Sequence, residues 1–312
     1  MPRPLPPSSA APDPLDRAFD AAVAGKPTAL YELLARGSKL PGPRINEALA
    51  DAFAATARAR GAKGDALVLA MTNLDADEAP GATPLEFLPV CGVLALASRA
   101  AADEKVRGKV LPVIHGRADD LRFRVREAVV DALVKIGSVA GDALVHDVAP
   151  WMDGYFHAAA VLRGLSTEAW LSKVHDVGAV VQRMDEAFQL ALNAPRSAAR
   201  YPGHKALLEA LQAAPVPVIV RFGVPVFDLL TRWAEVKDPV LRALVAASIG
   251  EEGGKSQGKR QRESKLAGRF RPEVDRVVRV LDATAPLPRN PDHDFGPSRD
   301  RSGERRSGRR KR

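Results

Sequence analysis

The feature that most constrains the fold is a run of apolar residues at helical spacing between Asp119 and Asp142. Its apolar side chains recur three or four positions apart, at Val125, Ala128, Val129, Ala132, Leu133 and Ile136. This spacing places them on one face of an α-helix. Gly137 is predicted to end the helix, and a second apolar helix follows from Val139. An acid-led helix followed by a short partner helix is typical of one unit of an α-solenoid.

Similar helical patterns, separated by short breaks at Gly and Pro, fill residues 15–250. No strand pattern with hairpin turns competes with them. Residues 125–128 align with residues 241–244 at an offset of 116, close to three units of about 39 residues. Because the intermediate spacings are irregular, we predict an all-α fold. It is an irregular α-solenoid of HEAT-like helical hairpins with disordered N- and C-terminal tails.

The two ends of the chain differ in composition from the helical region. Residues 1–14 contain six prolines and predict a disordered leader. Residues 251–271 are hydrophilic and predict a basic linker. Apolar residues at helical spacing predict a short amphipathic helix over 272–284, and residues 285–312 predict a disordered basic tail.

The net charge of +8 is distributed unevenly along the chain. Residues 254–312 hold 18 basic and 8 acidic side chains, which leaves residues 1–253 with a net charge of −2. The tail is therefore the part predicted to contact a polyanion such as nucleic acid, through counterion release. A solubilising role for the tail is the alternative. The candidate polyanion contacts are Arg305, Arg306, Arg309, Arg310, Lys311 and Arg312.

Composition excludes several other classes of protein. The single cysteine, Cys91, excludes a disulfide framework and a cysteine-based zinc site, and its apolar neighbours predict a buried, unreactive thiol. The Pro-rich start lacks the apolar core of a secretory signal. The longest apolar run, Leu85–Ala97, is too short to span a membrane. We therefore expect a cytoplasmic protein.

The six histidines form no recognisable metal-binding pattern in the sequence. None lies four residues from another histidine, and neither H-E-x-x-H nor a Walker-type phosphate loop is present. We therefore predict structural or surface histidines, no metal, no cofactor and no catalytic residues. On these grounds the protein is not expected to be an enzyme.

Two short segments are candidates for binding a ligand or partner. In the sequence R-F-R-V-R, helical geometry would make Arg122 and Arg126 neighbours that hold a carboxylate or phosphate. The alternative is pairing with Asp119 or Asp120. Residues 200–205 are predicted to form either a recognition loop or a rigid helix connector. The candidate binding residues are Arg122, Arg126, Trp151, Arg200, Tyr201, His204 and Lys205.

The three tryptophans, Trp151, Trp170 and Trp233, are predicted to pack between helices. A tryptophan beside Asp153 or Asp238 would instead resemble the aromatic and acidic cleft of helical-repeat DNA glycosylases. Those enzymes need a basic body, and the body of this chain is close to neutral.

Three segments resemble a known family. Residues 119–141 resemble a HEAT repeat, and residues 33–44 and 199–207 are similar to segments of HEAT-repeat domain-containing proteins from high-GC bacteria. The resemblance covers roughly residues 15–283. It implies an armadillo-like helical solenoid used for protein contacts, and it carries over no catalytic residues.

We therefore predict a non-enzymatic HEAT-repeat scaffold that mediates protein–protein interaction. One alternative is a nucleic-acid-associated protein anchored by its basic C-terminal tail, and another is a helical-repeat DNA glycosylase-like enzyme. The location of the positive charge should separate the first two. A basic concave face favours nucleic acid, whereas a neutral or acidic face with apolar patches favours a protein partner.

Overall fold

The computed structural model describes residues 13–250 and 257–284. These residues form helices joined by turns, without a β-strand, which confirms the all-α prediction. The α-helices are α1 (Pro14–Val23), α2 (Thr28–Gly37), α3 (Glu47–Arg60), α4 (Ala62–Asn73), α5 (Phe87–Ala102), α6 (Glu104–Ala118), α7 (Phe123–Ala140), α8 (Asp142–Asp147), α9 (Tyr155–Leu165), α10 (Glu168–Leu171), α11 (Val177–Leu192), α12 (Pro202–Ala213), α13 (Pro215–Phe222), α14 (Val224–Ala234), α15 (Pro239–Ile249) and α16 (Gln257–Ala283). The 3₁₀-helices are η1 (Pro84–Glu86), η2 (Ala149–Asp153) and η3 (Arg196–Arg200).

Local residue chemistry sets many of the helix ends. The side chains of five residues accept hydrogen bonds from amides in the first turns of α1, α3, α6, α11 and α15. These residues are Asp13, Asn46, Asp103, Asp176 and Asp238. They satisfy amides that have no partner within the helix. Proline occupies the first turn of α1 and of α12 to α15, where its missing N–H removes no helical hydrogen bond.

The helices pack mainly against neighbours along the chain. α3, α5, α7, α9, α12 and α15 contact one another in that order, and the intervening helices lie against this central row. One contiguous apolar core, rich in Ala, Val and Leu, runs through the array. Packing between successive neighbours is compatible with a helical-repeat architecture.

α5 illustrates how this core is built. Together with η1 it forms the helical segment Pro84–Ala102, which is long and apolar enough to cross a membrane. However, 72% of the apolar stretch of this segment is buried inside the protein. The helix contacts α3, α4, α6 and α7, so its apolar surface is used in packing. Cys91 lies fully buried on this helix, as predicted, and burial raises the pKa of its thiol well above the ordinary value.

α7 is longer than the sequence indicates, and the predicted end at Gly137 is wrong. The helix continues to Ala140 and ends at Gly141, whose φ of 55° is in the left-handed region. A Cβ atom at Gly137 would lie 2.3 Å from ring atoms of Trp170. Glycine is therefore needed at residue 137 because the indole packs against the helix backbone.

The C-terminal boundary also differs from the prediction. α16 begins at Gln257, so much of the predicted linker over 251–271 is helical and continuous with the predicted helix over 272–284. The helix bends at Phe270, two residues before Pro272, which has no amide hydrogen to donate. Basic residues surround the apolar positions that pack this helix against α14 and α15, so the sequence pattern indicated a linker.

The helical body consequently extends beyond the predicted boundary at residue 250. Leu266, Val274, Val277 and Leu281 of α16 are buried in the same core as the preceding helices. At the other end, Asp13 and Pro14 already belong to the start of α1. The remainder of the predicted leader, residues 1–12, and the predicted tail, residues 285–312, lie outside the described residues.

Candidate functional site

Arg122 is buried just before α7 and does not face a ligand site. It is 4% exposed, and its guanidinium donates to the Asp120 carboxylate at 2.7 and 2.8 Å. Its other donors reach three carbonyl oxygens of the loop that follows α4, those of Leu74, Asp75 and Ala79. All five N–H groups of the guanidinium are thus engaged. The pairing with Asp120 is found, and the predicted ligand-binding role of Arg122 is not supported.

The other two arginines of this segment make different contacts. Arg124 donates to Glu86 at 3.1 Å and to the carbonyl oxygen of Gly42 at 2.8 Å. Arg126 donates to the carbonyl oxygens of Asp120 and Leu121, and its guanidinium lies 4.6 Å from the ring centroid of Phe156. Arg126 stays partly exposed. It is therefore the one of the two predicted arginines that reaches a surface cleft.

This cleft, here called the α7 cleft, has a volume of about 230 Å³ and lies between α7, α9 and α12. Phe123 and Phe156 supply aromatic walls. Two ion pairs also line it: Arg163 binds both carboxylate oxygens of Glu127 at 2.7 Å, and Lys205 lies 3.9 Å from Glu209. Since these cations face paired anions, the α7 cleft has no strong excess of positive charge.

A second cleft, here called the acidic cleft, has a volume of about 260 Å³ and lies on the other side of Phe123. Three acidic residues, Glu47, Glu127 and Asp131, line it together with two basic ones, Arg44 and Arg124. Desolvation by the cleft walls raises the pKa of the Asp131 carboxyl, and the negative charges of Glu127 and Glu47 raise it further. The positive charge of Arg163 lowers this pKa by less than burial and the neighbouring acids raise it.

An exposed apolar side chain, Phe123, lies between the clefts, and Leu121 is exposed two residues before it. Leu121 is 88% exposed and Phe123 is 62% exposed, and Phe123 contributes to the walls of both clefts. We call this pair the Phe123 ridge. Single exposed apolar residues are common on protein surfaces, but an apolar ridge beside two clefts marks a candidate interaction surface.

The predicted recognition segment, residues 200–205, lies partly on the same surface. Tyr201 donates its hydroxyl to Asp119 at 3.0 Å, and its ring centroid lies 5.8 Å from that of Phe156. Lys205 lines the α7 cleft. His204 packs its ring edge-on against Tyr155.

The structure thus brings only part of the predicted set together. Arg126, Tyr201 and Lys205 lie around Phe156. Arg200 is exposed at the end of η3. The tail residues predicted to contact a polyanion lie outside the described part of the chain.

The tryptophans are buried, as predicted. Trp151, Trp170 and Trp233 are 3%, 0% and 3% exposed. Trp233 donates to Asp185 at 2.8 Å. Trp151 and Asp153 do line one cleft, but the buried indole offers no free face on which a base could stack. This burial argues against the glycosylase-like alternative.

The structure assembles a group of side chains that the sequence analysis missed: His115, Asp153 and His157. The nitrogens His115 Nε2 and His157 Nδ1 lie 3.1 and 2.9 Å from Asp153 Oδ1. The two imidazole rings stack with centroids 3.9 Å apart. We call this group the histidine cluster. The i, i+4 spacing of Asp153 and His157 was the available signal, but His115 comes from α6, 38 residues before Asp153.

The protein environment shifts the pKa values of two members of the cluster. Burial and the neighbouring charge of His115 lower the pKa of His157, outweighing the opposite effect of Asp153 and Asp119. Burial alone would raise the pKa of Asp153, but the hydrogen bond and charge of His115, with the charge of His157, lower it. At neutral pH the cluster therefore contains an ionised carboxylate and a neutral His157.

A comparison of the chain with protein-family models finds no match, and a comparison with curated protein sequences finds no significant match. The resemblance to HEAT-repeat proteins therefore stays a prediction. The geometry of the clefts and of the Phe123 ridge is the basis for a functional proposal.

Proposed function

We propose that this protein is a non-enzymatic, HEAT-like cytoplasmic scaffold that binds another protein through the Phe123 ridge and its two flanking clefts. The observation that carries the proposal is the exposure of Phe123 between a nearly charge-balanced cleft and an acidic one, with Leu121 exposed two residues before it. Packing of the helices in chain order supports a scaffold role, because helical arrays present extended binding surfaces.

The charge of this surface favours a protein partner over nucleic acid. Glu47, Glu127 and Asp131 would repel phosphate groups, whereas they would attract lysine or arginine side chains. Two of the three cations that line the α7 cleft already face acidic partners. A neutral or acidic face with an apolar patch is the arrangement expected for protein recognition.

These features support a partner of a particular chemistry. It is a protein segment with an apolar anchor that packs on the Phe123 ridge and a nearby lysine or arginine that enters the acidic cleft. Binding energy concentrates where an apolar anchor is desolvated at the centre of an interface. The buried Asp120–Arg122 pair fixes the backbone beside the ridge, so little ordering is needed on binding.

A random-peptide display experiment on the full-length protein tests this proposal. We expect enrichment of peptides that combine an apolar residue with lysine or arginine. Their affinity should fall at least about tenfold in Phe123→Ser, because a central anchor contact contributes 1.4 kcal/mol or more. The measurement is fluorescence anisotropy of labelled peptides with the wild type and the variant.

Val139→Ser is the matched control, because Val139 is similarly exposed on α7 but lies near the opposite end of the helix. Peptide affinity should be unchanged in this variant. Equal peptide affinities in the wild type and Phe123→Ser would contradict the proposed surface. Labelled DNA and RNA, measured across a salt series, form a second arm. Binding that is lost when the six tail residues are replaced by glutamine would support the tail-anchored alternative, whereas binding that survives would mean that the helical body itself contacts nucleic acid.

A further inference from the structure

We propose that His115, Asp153 and His157 bind a divalent first-row transition metal ion, Zn²⁺ in the first instance. Each residue offers one donor atom, and the donor atoms all lie within 4.8 Å of one another. Two imidazole nitrogens and one carboxylate oxygen form a donor set that suits Zn²⁺ and related ions. The proposal concerns binding, and it is independent of the proposed protein-binding surface.

The two nitrogen–oxygen distances are close to those of neighbouring donors in a metal site. The two nitrogen atoms lie 3.1 and 2.9 Å from the same carboxylate oxygen. Ligands with metal bonds of about 2.1 Å have neighbouring donor atoms roughly 3.0–3.4 Å apart, depending on coordination geometry. The two imidazole rings stack with centroids 3.9 Å apart, so they would have to turn for both nitrogen lone pairs to point at one ion.

His157 provides an independent indication of a missing partner. Its Nδ1 is buried and makes no hydrogen bond to any residue that the structure describes, although it lies 2.9 Å from Asp153 Oδ1. A buried nitrogen without a hydrogen bond is unfavourable unless another group satisfies it. A metal ion would satisfy this nitrogen by accepting the lone pair of Nδ1.

The surrounding residues keep the donors in place and leave space beside them. The edge of the Trp151 ring packs on His115, with ring centroids 5.1 Å apart. A Cβ atom at Gly154 would lie 2.4 Å from His157 Nδ1, so glycine keeps this position open.

The cluster opens into a cleft of about 380 Å³ whose lining includes Leu111, Pro112, His115, Trp151 and Asp153. Three protein donors leave at least one coordination position of the ion free, and this cleft gives access to it. Water or a donor atom from a bound partner would complete the coordination. Asp147 also lines the cleft, but it accepts a hydrogen bond from Arg107 at 2.7 Å.

Titration of the full-length protein with Zn²⁺ and Co²⁺ tests the proposal. We expect one ion per chain by calorimetry, and visible d–d absorption bands when Co²⁺ binds. Asp153→Asn and His115→Gln should each weaken binding by more than about 100-fold, because loss of a residue that only orients a ligand already weakens it 10–100-fold. His146→Gln is the control, because exposed His146 pairs with one acid, Asp176, at 3.2 Å.

Two results would overturn the proposal: equal affinity in the wild type and Asp153→Asn, or an equal loss of affinity in the His146→Gln control. Circular dichroism identifies any variant that fails to fold. The wild type provides a readout that needs no variant, since Zn²⁺ should shift the imidazole ¹⁵N resonances of His115 and His157. Unshifted resonances at these two residues would mean that the cluster binds no metal ion.

Discussion

The two ends of α7 are held in place by different physical means. Before the first turn, the buried Arg122 is fixed by charged hydrogen bonds to Asp120 and by three loop carbonyl groups. Near the last turn, Gly137 fits closely against the Trp170 ring. Because polar contacts anchor the first end, Leu121 and Phe123 remain exposed there without loss of order. α7 thus has an exposed apolar surface at its first end and a close packing contact between Gly137 and Trp170 near its last turn.

The largest effect is expected at the polar end, from Asp120→Asn. The substitution leaves the Arg122 guanidinium buried without its counter-charge, and we expect a loss of about 3 kcal/mol in the free energy of unfolding at pH 7. Urea denaturation of the wild type and the variant measures this loss. Asp20→Asn is the control, because Asp20 forms a similar paired contact with Arg60 at an exposed site, where the loss should be much smaller.

The loss in Asp120→Asn should also depend on pH. Burial alone would raise the pKa of Asp120, but the hydrogen bonds and charge of Arg122 outweigh burial and lower it below the ordinary value. The stabilisation is therefore fully present above the unfolded-state pKa of about 3.9 and is lost as the pH falls through the lower folded-state pKa. A difference between wild type and variant that stayed constant from pH 7 to pH 2 would contradict an ionic origin.

The next largest effect is expected at the packed end, from Gly137→Ala. The new methyl group would overlap Trp170, whose indole is fully buried and donates to the Gly141 carbonyl oxygen at 3.2 Å. We expect a net loss of about 2 kcal/mol in the free energy of unfolding, since overpacking outweighs the better helix propensity of alanine. Thermal and urea denaturation measure the change.

Gly116→Ala should change the free energy of unfolding in the opposite direction. Gly116 lies in α6, and a Cβ atom there meets nothing within 4 Å. Alanine should therefore stabilise the protein by about 0.5–1 kcal/mol. If both variants were stabilised, the close contact between Gly137 and Trp170 would not be a constraint on the fold.

The contrast between the two ends also explains which parts of the fold the sequence predicted. Helices were predictable because they depend on local apolar spacing, as the confirmed buried face of α7 from Val125 to Ile136 illustrates. The role of Gly137 was not predictable, because glycine is required there by contact with Trp170, which lies 33 residues later in the chain. The apolar positions of α16 lie within a basic run that gave a stronger signal for a linker.

The candidate site was predictable to a smaller extent. Arg126, Tyr201 and Lys205 were named from the sequence and lie on one surface. Arg122 was assigned to the same surface, but its carbonyl acceptors lie 43 to 48 residues earlier in the chain. The histidine cluster likewise depends on contact between α6 and α9, which no local pattern contains.

The smallest effect is expected in the middle of α7, from Asp131→Asn. Because the folded-state pKa of Asp131 is raised, its ionised form opposes folding once the pH exceeds the unfolded-state value, and the full penalty applies above the folded-state pKa. The variant should therefore melt about 1 °C higher at pH 7 and be unchanged near pH 2. Asp51→Asn is the control, because Asp51 pairs with Lys135 at 3.3 Å. A lower melting temperature for Asp131→Asn at pH 7 would show that negative charge in the acidic cleft is already balanced, which would remove the reason for a basic partner.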